Sequence, residues 1–581
     1  MYQAPRLLWL LLACAIPAAV VLSGCAPRVE PADLVLRDGK IVTVDPARPS
    51  AQALAVRGDT IVALGTDEEI GRYIGDKTQV IDLGGKLAIP GFNDAHLHFM
   101  GVGDRKLQLD LGKAKNWDDI VMMVAEAAKT TPAGQPIRGR GWHQEKWDKV
   151  PQPNVEGFPF NDTLSKVSPN NPVYLTHASG HATIANAKAM ELAGITKKTP
   201  DPEGGDLVRD KAGNPIGVFR ENAEDLVTRT IPPPTPEQLR KTFDLAVQEC
   251  LSKGVTSAQD AGVSFETVEL YRKLADEKKL GIRLNVMVNS GNESLRQNLA
   301  RYRMIGYGDR HLTVRTIKRV LDGALGSRTA WLLEPYSDLP PAAAPTSAKG
   351  TQPVVAATGI ETMPIPELAE TARIAIENDF QLAVHAIGDR ANREALNVFE
   401  AAFKAHPDKK DLRWRIEHAQ HLSAADIPRF GQLGVIASMQ GIHCTSDGPY
   451  VPLRLGAKRA DEGAYAWQKL WKTKAIIANG TDAPVEAVDT MPGFHALVTR
   501  KMKNGQAFYP DERLTREDAL WTYTLGGAYA DFEDTFKGSL APGKLADITV
   551  LSRDIMTIPE DEIPNTEVLY TIVGGKVLYK K

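Results

Sequence analysis

Short β-rich runs mark the two ends of the chain. Residues 31–88 hold five such runs, separated by turn pairs such as Asp38-Gly39. The same pattern returns near the other end, in runs that begin at Asp547, Val568 and Lys576. Because the middle of the chain has a different pattern, the two ends predict one small β-sandwich that both termini build.

The middle of the chain alternates strand-like and helix-like runs, which is typical of parallel βα units. Eight such units fit a TIM barrel, so the predicted fold class is α/β with a distorted (β/α)8 barrel. About 150 residues separate the first strand from the second, which predicts a large insertion at about 106–245 over the C-terminal face of the barrel. The eight candidate strands are residues 87–98, 255–259, 282–288, 312–320, 381–385, 413–418, 434–439 and 475–479, and Pro90-Gly91 break the first of them after Ile89.

The first 25 residues resemble a bacterial lipoprotein signal peptide. Arg6 precedes an apolar run, Leu7 to Leu22, that is too short and too interrupted for a good membrane-spanning helix. Small residues then lead to Cys25, which would carry a lipid and become the mature N-terminus; an ordinary secretory signal cleaved nearby is the alternative. A lipid on Cys25 would anchor the protein to a membrane on the periplasmic side, and Ala26 favours the outer membrane. The predicted parts are therefore a signal peptide at 1–25, sandwich segments at 26–88 and 536–581, and the barrel at 89–535.

The composition is that of an ordinary globular protein. Charged residues make up 24% of the 581 residues and apolar residues 43%, and the net charge of -3 gives no reason to expect a nucleic-acid partner. Only Cys250 and Cys444 remain after the signal peptide. In an oxidising compartment the two cysteines could form a disulfide, but we favour the interpretation that both are buried free thiols.

Two histidines follow the first predicted barrel strand. His96 and His98 are two residues apart on an extended segment, so both imidazoles point to the same side. Neutral imidazole is the commonest metal ligand. Such a pair alone is more often two polar residues at a strand end, and only the later strand ends change that interpretation.

Those later strand ends carry further metal-competent side chains, one after another. Lys318 lies in the fourth strand, His385 ends the fifth, His418 ends the sixth, and Asp482 follows the eighth. Each of these residues alone would be interpreted as structural. Four of the 12 histidines fall at strand ends, where barrel enzymes have their active sites, so the ordered set predicts a metal centre.

Five segments at these strand ends share recognisable motifs. They are residues 90–98, 322–330, 385–391, 415–420 and 480–484, and a sixth segment, 538–548, lies near the C-terminus. Together they resemble the amidohydrolase superfamily, and within it the amidohydrolase-3 group of YtcJ-like and AepA-like hydrolases. The resemblance covers essentially all of the mature chain, and it implies a metal-dependent hydrolase.

The resemblance also implies two divalent metals per chain, with zinc expected from the nitrogen and oxygen ligands. Lys318 would bridge the two ions as a carbamate, which requires a neutral, buried amine. An ion pair between Lys318 and Asp322 is the alternative, and it would leave a single-metal site. The implied ligands are His96, His98 and Asp482 for the more buried ion, and His385 and His418 for the second.

The implied reaction is hydrolysis by a metal-activated hydroxide. Asp482 would take the proton of the attacking water and return it to the leaving nitrogen. Three further residues are candidate substrate contacts: His181, His443 and Arg328, the last as a clamp for a carboxylate. A packed loop histidine is an equally open interpretation of His181, and a structural ion pair is an equally open interpretation of Arg328.

We therefore expect an amidohydrolase that cleaves an amide-type C–N bond of a small molecule other than a peptide. A mononuclear deaminase on the same fold is the alternative, against which Lys318 argues. A non-catalytic lipoprotein on this fold is less favoured, because all six ligand positions are filled. The sequence names no substrate and fixes no oligomeric state; many members of the resembled family are dimers, so a homodimer is expected by analogy alone.

Overall fold

The computed structural model describes residues 29–339 and 357–581. The predicted signal peptide, including Cys25, lies outside the described residues, so its lipidation stays a prediction. Within the two described ranges, we find no helix with the length and apolar character that crossing a membrane requires. Cys250 and Cys444 are both buried and free.

Eight parallel strands surround the centre of the molecule and pair in chain order. The first and last strands share no ladder, but the backbone N–H of Asp482 donates to His96 O (2.7 Å) and that of His98 donates to Ala483 O (2.7 Å). The predicted eight-stranded parallel barrel is thus confirmed, nearly closed. Its strands are β1 (Phe92–Leu97), β2 (Val255–Val263), β3 (Arg283–Val288), β4 (Leu312–Val320), β5 (Gln381–Ala386), β6 (Arg415–His418), β7 (Ile436–Met439) and β8 (Ile477–Asn479).

Helices cover the outside of the barrel and leave the strands buried on both faces, as in β3 and β5. Local signals fix where they begin: Thr235 and Gln238 form a capping box ahead of helix Pro236–Ser252. The covering helices are Phe99–Arg105, Pro236–Ser252, Phe265–Asp276, Asn292–Tyr302, Ile365–Glu377, Asp389–Ala405, Ile427–Leu433, Trp467–Lys472, Thr490–Thr499 and Arg516–Thr522.

The first predicted strand, residues 87–98, is two strands in the structure. Leu87–Pro90 pairs with Ile548–Leu551 in a sheet outside the barrel, and β1 begins only at Phe92. The break falls at Gly91, where a Cβ would lie 2.2 Å from Thr256 Oγ1. Only glycine lets the chain pass this close to β2 as it moves from one sheet to the other.

Two sheets outside the barrel use strands from the ends of the chain. They share one hydrophobic cluster, to which Leu36 and Val56 contribute from one sheet and Ile548 and Ile572 from the other. The four-stranded sheet contains Leu34–Arg37, Ala53–Arg57, Thr60–Gly65 and Gln79–Asp82. The six-stranded sheet contains Lys40–Val42, Ser50–Ala51, Leu87–Pro90, Ile548–Leu551, Val568–Val573 and Lys576–Lys580.

The long connection between β1 and β2 carries a sheet of its own. Its hydrophobic cluster includes Trp142 and Leu175, and helix Trp117–Thr130 packs on it. Strand Val173–His177 leads into the loop that holds His181. The six strands of this sheet are Leu109–Asp110, Ile137–Trp142, Val173–His177, Ala182–Ala185, Gly205–Arg209 and Pro215–Glu221.

Candidate metal centre

Three buried side chains from three different strand ends converge at the C-terminal end of the barrel. Ligand atoms of His96, His418 and Asp482 all lie within 4.8 Å of one another. His96 Nε2 is 3.6 Å from Asp482 Oδ1, and His418 Nδ1 is 3.9 Å from Asp482 Oδ2. Donor atoms that each lie about 2 Å from one ion are separated by 3 to 4 Å, so this spacing suits a shared divalent cation.

Unusual backbone angles aim two of these side chains. His418 has a φ of 74° and Asp482 a φ of 56°, both in the left-handed region that residues other than glycine rarely adopt. Such strain persists only where the surroundings fix it, and it is typical of functional sites. The strand ends therefore hold these side chains towards the barrel axis at a conformational cost.

His98 and His385 lie next to this cluster. His98 Nε2 is 3.3 Å from Asp482 Oδ1, although 41% of its side chain is exposed. The His385 ring lies 4.5 Å from the His418 ring, measured between centroids, and its Nε2 is 3.5 Å from Gly323 O. The five predicted histidine and aspartate ligands therefore lie in one region at the end of the barrel.

Lys318 points from β4 into the same buried interior and is 2% exposed. Burial lowers the pKa of its ammonium group, although the carboxylates of Glu417 and Asp482 oppose that shift. Within the described residues, Lys318 forms no ion pair within 4.0 Å with Asp322, which instead accepts backbone N–H groups of Trp331, Ile387 and Gly388 at 2.8–3.0 Å. Burial thus outweighs the two carboxylates, and Lys318 is not held in an ion pair with Asp322.

The donor set fits a metal by a second criterion. His96 Nε2, His443 Nε2 and Asp482 Oδ1 are buried and have no hydrogen-bond partner among the residues that the structure describes. Leaving a buried polar atom unpaired costs about 1–3 kcal/mol, so three such atoms in one place indicate a missing ligand. Nitrogen and oxygen donors in this number are those that zinc and similar divalent ions take.

Protonation is consistent with metal binding. Burial lowers the pKa of His96 to about 4 and holds the pKa of His418 well below its ordinary value, so both imidazoles are neutral at pH 7. Burial opposes ionisation of Asp482, but the imidazoles of His98, His418 and His96 beside it outweigh burial and hold its pKa well below the usual range. The centre therefore offers neutral nitrogens and an ionised carboxylate.

A narrow cavity leads away from these residues between the barrel and the β1–β2 connection. His181, His385, His418, His443 and Asp482 all line it. His443 Nε2 lies 3.7 Å from Asp482 Oδ2, and its Nδ1 pairs with Gln420 Nε2 at 2.9 Å. The structure thus places two of the three predicted substrate contacts, His181 and His443, beside the candidate metal ligands.

Arg328, the third predicted contact, is not among the residues that line this cavity. Its guanidinium pairs with Asp338 at 3.0 Å and donates to Glu156 O at 3.1 Å. Arg328 therefore joins the segment after β4 to the β1–β2 connection, which is the structural ion pair that the sequence left open.

Glu221 is a residue that the sequence did not single out. Its Oε2 lies 2.7 Å from His181 Nδ1, and the His181 ring lies 5.0 Å from the ring of His385. Burial opposes protonation of His181, but the Glu221 carboxylate outweighs it and raises the pKa of the imidazole. No spacing signal links residues this far apart, so only the fold reveals the pair. His143 and Tyr450 also line the cavity.

A parallel eight-stranded barrel with buried histidines and an aspartate at the carboxyl ends of its strands defines the class of metal-binding barrel enzymes. The model of a family described as "Amidohydrolase family" matches residues 79–579 of the chain. The chain belongs to the amidohydrolase family, and the resemblance that the strand-end motifs indicated is confirmed.

Relatives match over nearly the whole chain. Protein LONG AFTER FAR-RED 3 of Arabidopsis thaliana is 32% identical over 94% of this chain and 92% of its own length. The putative amidohydrolase YtcJ of Bacillus subtilis is 30% identical, and an N-substituted formamide deformylase of Arthrobacter pascens is 26% identical, each over 94% of this chain and 98% of its own. A crystal structure of an uncharacterized metal-dependent hydrolase from Pyrococcus horikoshii has a TM-score of 0.71 at 26% identity, covering 91% of this chain and 99% of that one.

Proposed function

We propose that this protein is a metal-dependent hydrolase that cleaves an amide-type C–N bond of a small molecule. The observation that carries the proposal is the position of Asp482, whose two carboxylate oxygens lie within 3.9 Å of ring nitrogens of His96, His98 and His418. A carboxylate at the centre of neutral imidazoles, at the base of a cavity, suits a metal ligand that also moves protons.

The proposed centre holds two divalent metals, with zinc the expected ion. Such ions polarise a substrate carbonyl and lower the pKa of water. Lys318 would join the two sites as a carbamate, for which its burial and lowered pKa prepare the amine. The proposed ligands are His96, His98 and Asp482 for one ion, His385 and His418 for the other, and Lys318 between them.

Asp482 has the proposed role of proton carrier. Its Oδ1 is buried without a hydrogen-bond partner in the described part of the chain, so it is free to accept a proton from an attacking water. The same carboxyl would then return that proton to the leaving nitrogen. His181, held through its Nδ1 by Glu221, lines the same cavity and would contact the substrate carbonyl there.

An amide is the proposed substrate class because of the family and because of one relative. The deformylase of Arthrobacter pascens is named for N-substituted formamides, and its sequence matches 94% of the length of this chain. We extend only the bond type to this protein, a C–N bond that is not a peptide bond. N-acyl amines, formamides and cyclic amides form the set to be screened.

The test measures metals per chain in protein purified without chelator in bicarbonate buffer, and then hydrolysis of an amide library. About two equivalents of metal together with release of an amine or acid support the proposal. One equivalent with release of ammonia from ring amidines supports the mononuclear deaminase instead. No metal and no turnover would indicate a non-catalytic member of the family.

We also propose that a lipid on Cys25 anchors the protein on the periplasmic side of the outer membrane. The support is the apolar run and the small residues before Cys25 in the sequence. Mass spectrometry of the N-terminal peptide tests this, with Cys25→Ala as the matched variant. A mature chain that begins elsewhere, or an unmodified Cys25, would contradict it.

A further inference from the structure

Behind His96, on the side away from Asp482, a buried hydrogen-bond chain enters the barrel interior. His96 Nδ1 pairs with Glu417 Oε2. Arg415, two residues before Glu417 on β6, donates to both carboxylate oxygens of Glu417, through Nε to one and through Nη2 at 3.2 Å to the other. The side chains of His96, Glu417 and Arg415 are all fully buried.

Arg415 is itself held from several sides. Its Nη2 also donates to Ala95 O at 2.7 Å and to Ser438 Oγ at 2.6 Å, and its Nη1 donates to Gln259 Oε1. Gln259 in turn donates to Gly527 O at 2.8 Å. These contacts link β6 to β1, β2 and β7, so the guanidinium has one position and it fixes that of Glu417.

This arrangement determines which nitrogen of His96 faces the metal centre. A carboxylate accepts hydrogen bonds, so Nδ1 of His96 carries the proton and Nε2 carries the lone pair. Nε2 is the atom that lies 3.6 Å from Asp482 Oδ1 and has no hydrogen-bond partner among the described residues. Glu417 therefore selects the tautomer and ring orientation in which His96 can bind a cation.

We infer that Glu417, fixed by Arg415, is a positioning residue that sets the metal affinity of the centre through His96. The inference rests on the proposed function, since it takes His96 as a metal ligand. Neighbouring Glu417 and His418 both serve the centre because the φ of 74° at His418 interrupts the alternation of the strand. Glu417 acts from behind His96, whereas the His418 ring lies among the candidate ligands, with its Nδ1 3.9 Å from Asp482 Oδ2.

The test uses the whole protein, stripped of metal and titrated with Zn²⁺ in competition with a chromophoric chelator. Glu417→Gln keeps the shape of the side chain but removes its charge. Loss of a hydrogen-bonded partner behind a metal-binding histidine lowers metal affinity about 10- to 100-fold, and this is the expected result. The absorption bands of bound Co²⁺, which report on the donors around the ion, are expected to shift in the same variant.

Asp547→Asn is the matched control. Asp547 forms a comparable buried pair with Arg283, with hydrogen bonds of 2.7 and 3.0 Å, but contacts none of the predicted ligands. Both variants lose a carboxylate opposite a buried arginine, so both are expected to melt earlier. Only Glu417→Gln is expected to lose Zn²⁺ affinity and to change the Co²⁺ spectrum.

Wild-type affinity in Glu417→Gln, or an equal loss of affinity in Asp547→Asn, would overturn the inference. If Glu417→Gln does not fold, Glu417→Asp decides, because it keeps the charge opposite Arg415 but withdraws the oxygens from His96. Affinity within twofold of wild type in Glu417→Asp overturns the inference as well. A wild-type protein that binds no divalent metal overturns the proposed function and this inference together, whereas metal binding that ignores Glu417 overturns the inference alone.

Discussion

His181 Nδ1 lies 2.7 Å from Glu221 Oε2. This contact joins the loop after strand Val173–His177 to the last residue of strand Pro215–Glu221 in the same sheet. Glu221 has a φ of 52°, a conformation that costs about 1–3 kcal/mol for a residue other than glycine. Its second oxygen, Oε1, is buried without a hydrogen-bond partner among the described residues. The strain and the unpaired oxygen indicate that Glu221 is held in place for His181.

Glu221→Gln is therefore expected to lower kcat/KM by up to about 100-fold without changing metal content, because His181 loses the carboxylate that orients it. The measurement is turnover of the best amide from the screen, together with metal analysis. Glu224→Gln is the control, since Glu224 accepts a hydrogen bond from Thr183 and contacts none of the predicted metal ligands. Equal activity of the Glu221 and Glu224 variants would remove the role that we assign to Glu221.

Gly323 provides a steric test of the same pair. A Cβ at position 323 would lie 2.0 Å from Glu221 Oε1 and 2.2 Å from Thr329 Oγ1. Gly323→Ala is therefore expected to displace Glu221 and to destabilise the protein by about 1–3 kcal/mol. Gly71→Ala is the control, because nothing lies within 4 Å of a Cβ there. Denaturant unfolding and kcat/KM of both variants check the prediction, and a fully active Gly323→Ala would contradict it.

The barrel and the positions of the candidate metal ligands could be predicted because their signals are local. Each candidate ligand lies at or near the carboxyl end of its strand, as His385 does in β5, and parallel strands bring such ends together whatever the loops contain. The motif around His418 likewise identifies the family without knowledge of any contact. Residues close together in the sequence were therefore sufficient to predict both the barrel and the positions of the candidate ligands.

The features that the sequence did not predict depend on contacts between residues that are far apart in the sequence or have more than one chemically reasonable partner. The sequence indicates the break at Pro90-Gly91, but no local pattern links Gly91 to Thr256 or places the segment before the break in a sheet outside the barrel. Glu221 reaches His181 only through the sheet of the β1–β2 connection. Arg328 has the chemistry of a carboxylate clamp, but Asp338 occupies its guanidinium, and the sequence alone does not distinguish the two roles.

Lys318→Ala is expected to lower the metal content from about two equivalents per chain to one or fewer. The reason is that the proposed carbamate would be the only group shared by both ions. Plasma mass spectrometry of protein prepared with and without bicarbonate measures this. Lys253→Ala, which removes a surface lysine paired with Asp489, is the control and keeps its metal. Unchanged stoichiometry in Lys318→Ala would return this lysine to a structural role.

Removal of metal is expected to lower Tm by about 2 °C for each ion lost, because a ligand present at 100 times its Kd adds about 2.7 kcal/mol to the free energy of unfolding, and a chain of this length unfolds with an entropy of about 1.2 kcal/mol/K. His96 Nε2 and Asp482 Oδ1 are buried without a hydrogen-bond partner among the described residues, so a bound ion would satisfy two atoms that the protein itself leaves unpaired. Calorimetry before and after chelation, and after Zn²⁺ is restored, measures the shift. A Tm that does not respond to either step would argue against a metal at these atoms.

Asp482→Asn is expected to be the most damaging single change to activity. The amide has almost the same shape as the carboxylate, but it cannot accept a proton from water and it weakens the shared ligand position between His96, His98 and His418. General-base catalysis contributes about 10²–10⁴-fold, so kcat is expected to fall by at least that factor. Metal analysis of the same preparation separates loss of the proton carrier from loss of the ion. Near-normal turnover of Asp482→Asn with full metal content would sink the proposed mechanism, because among the described residues no other carboxylate lies within 4.0 Å of ring nitrogens of all three histidines.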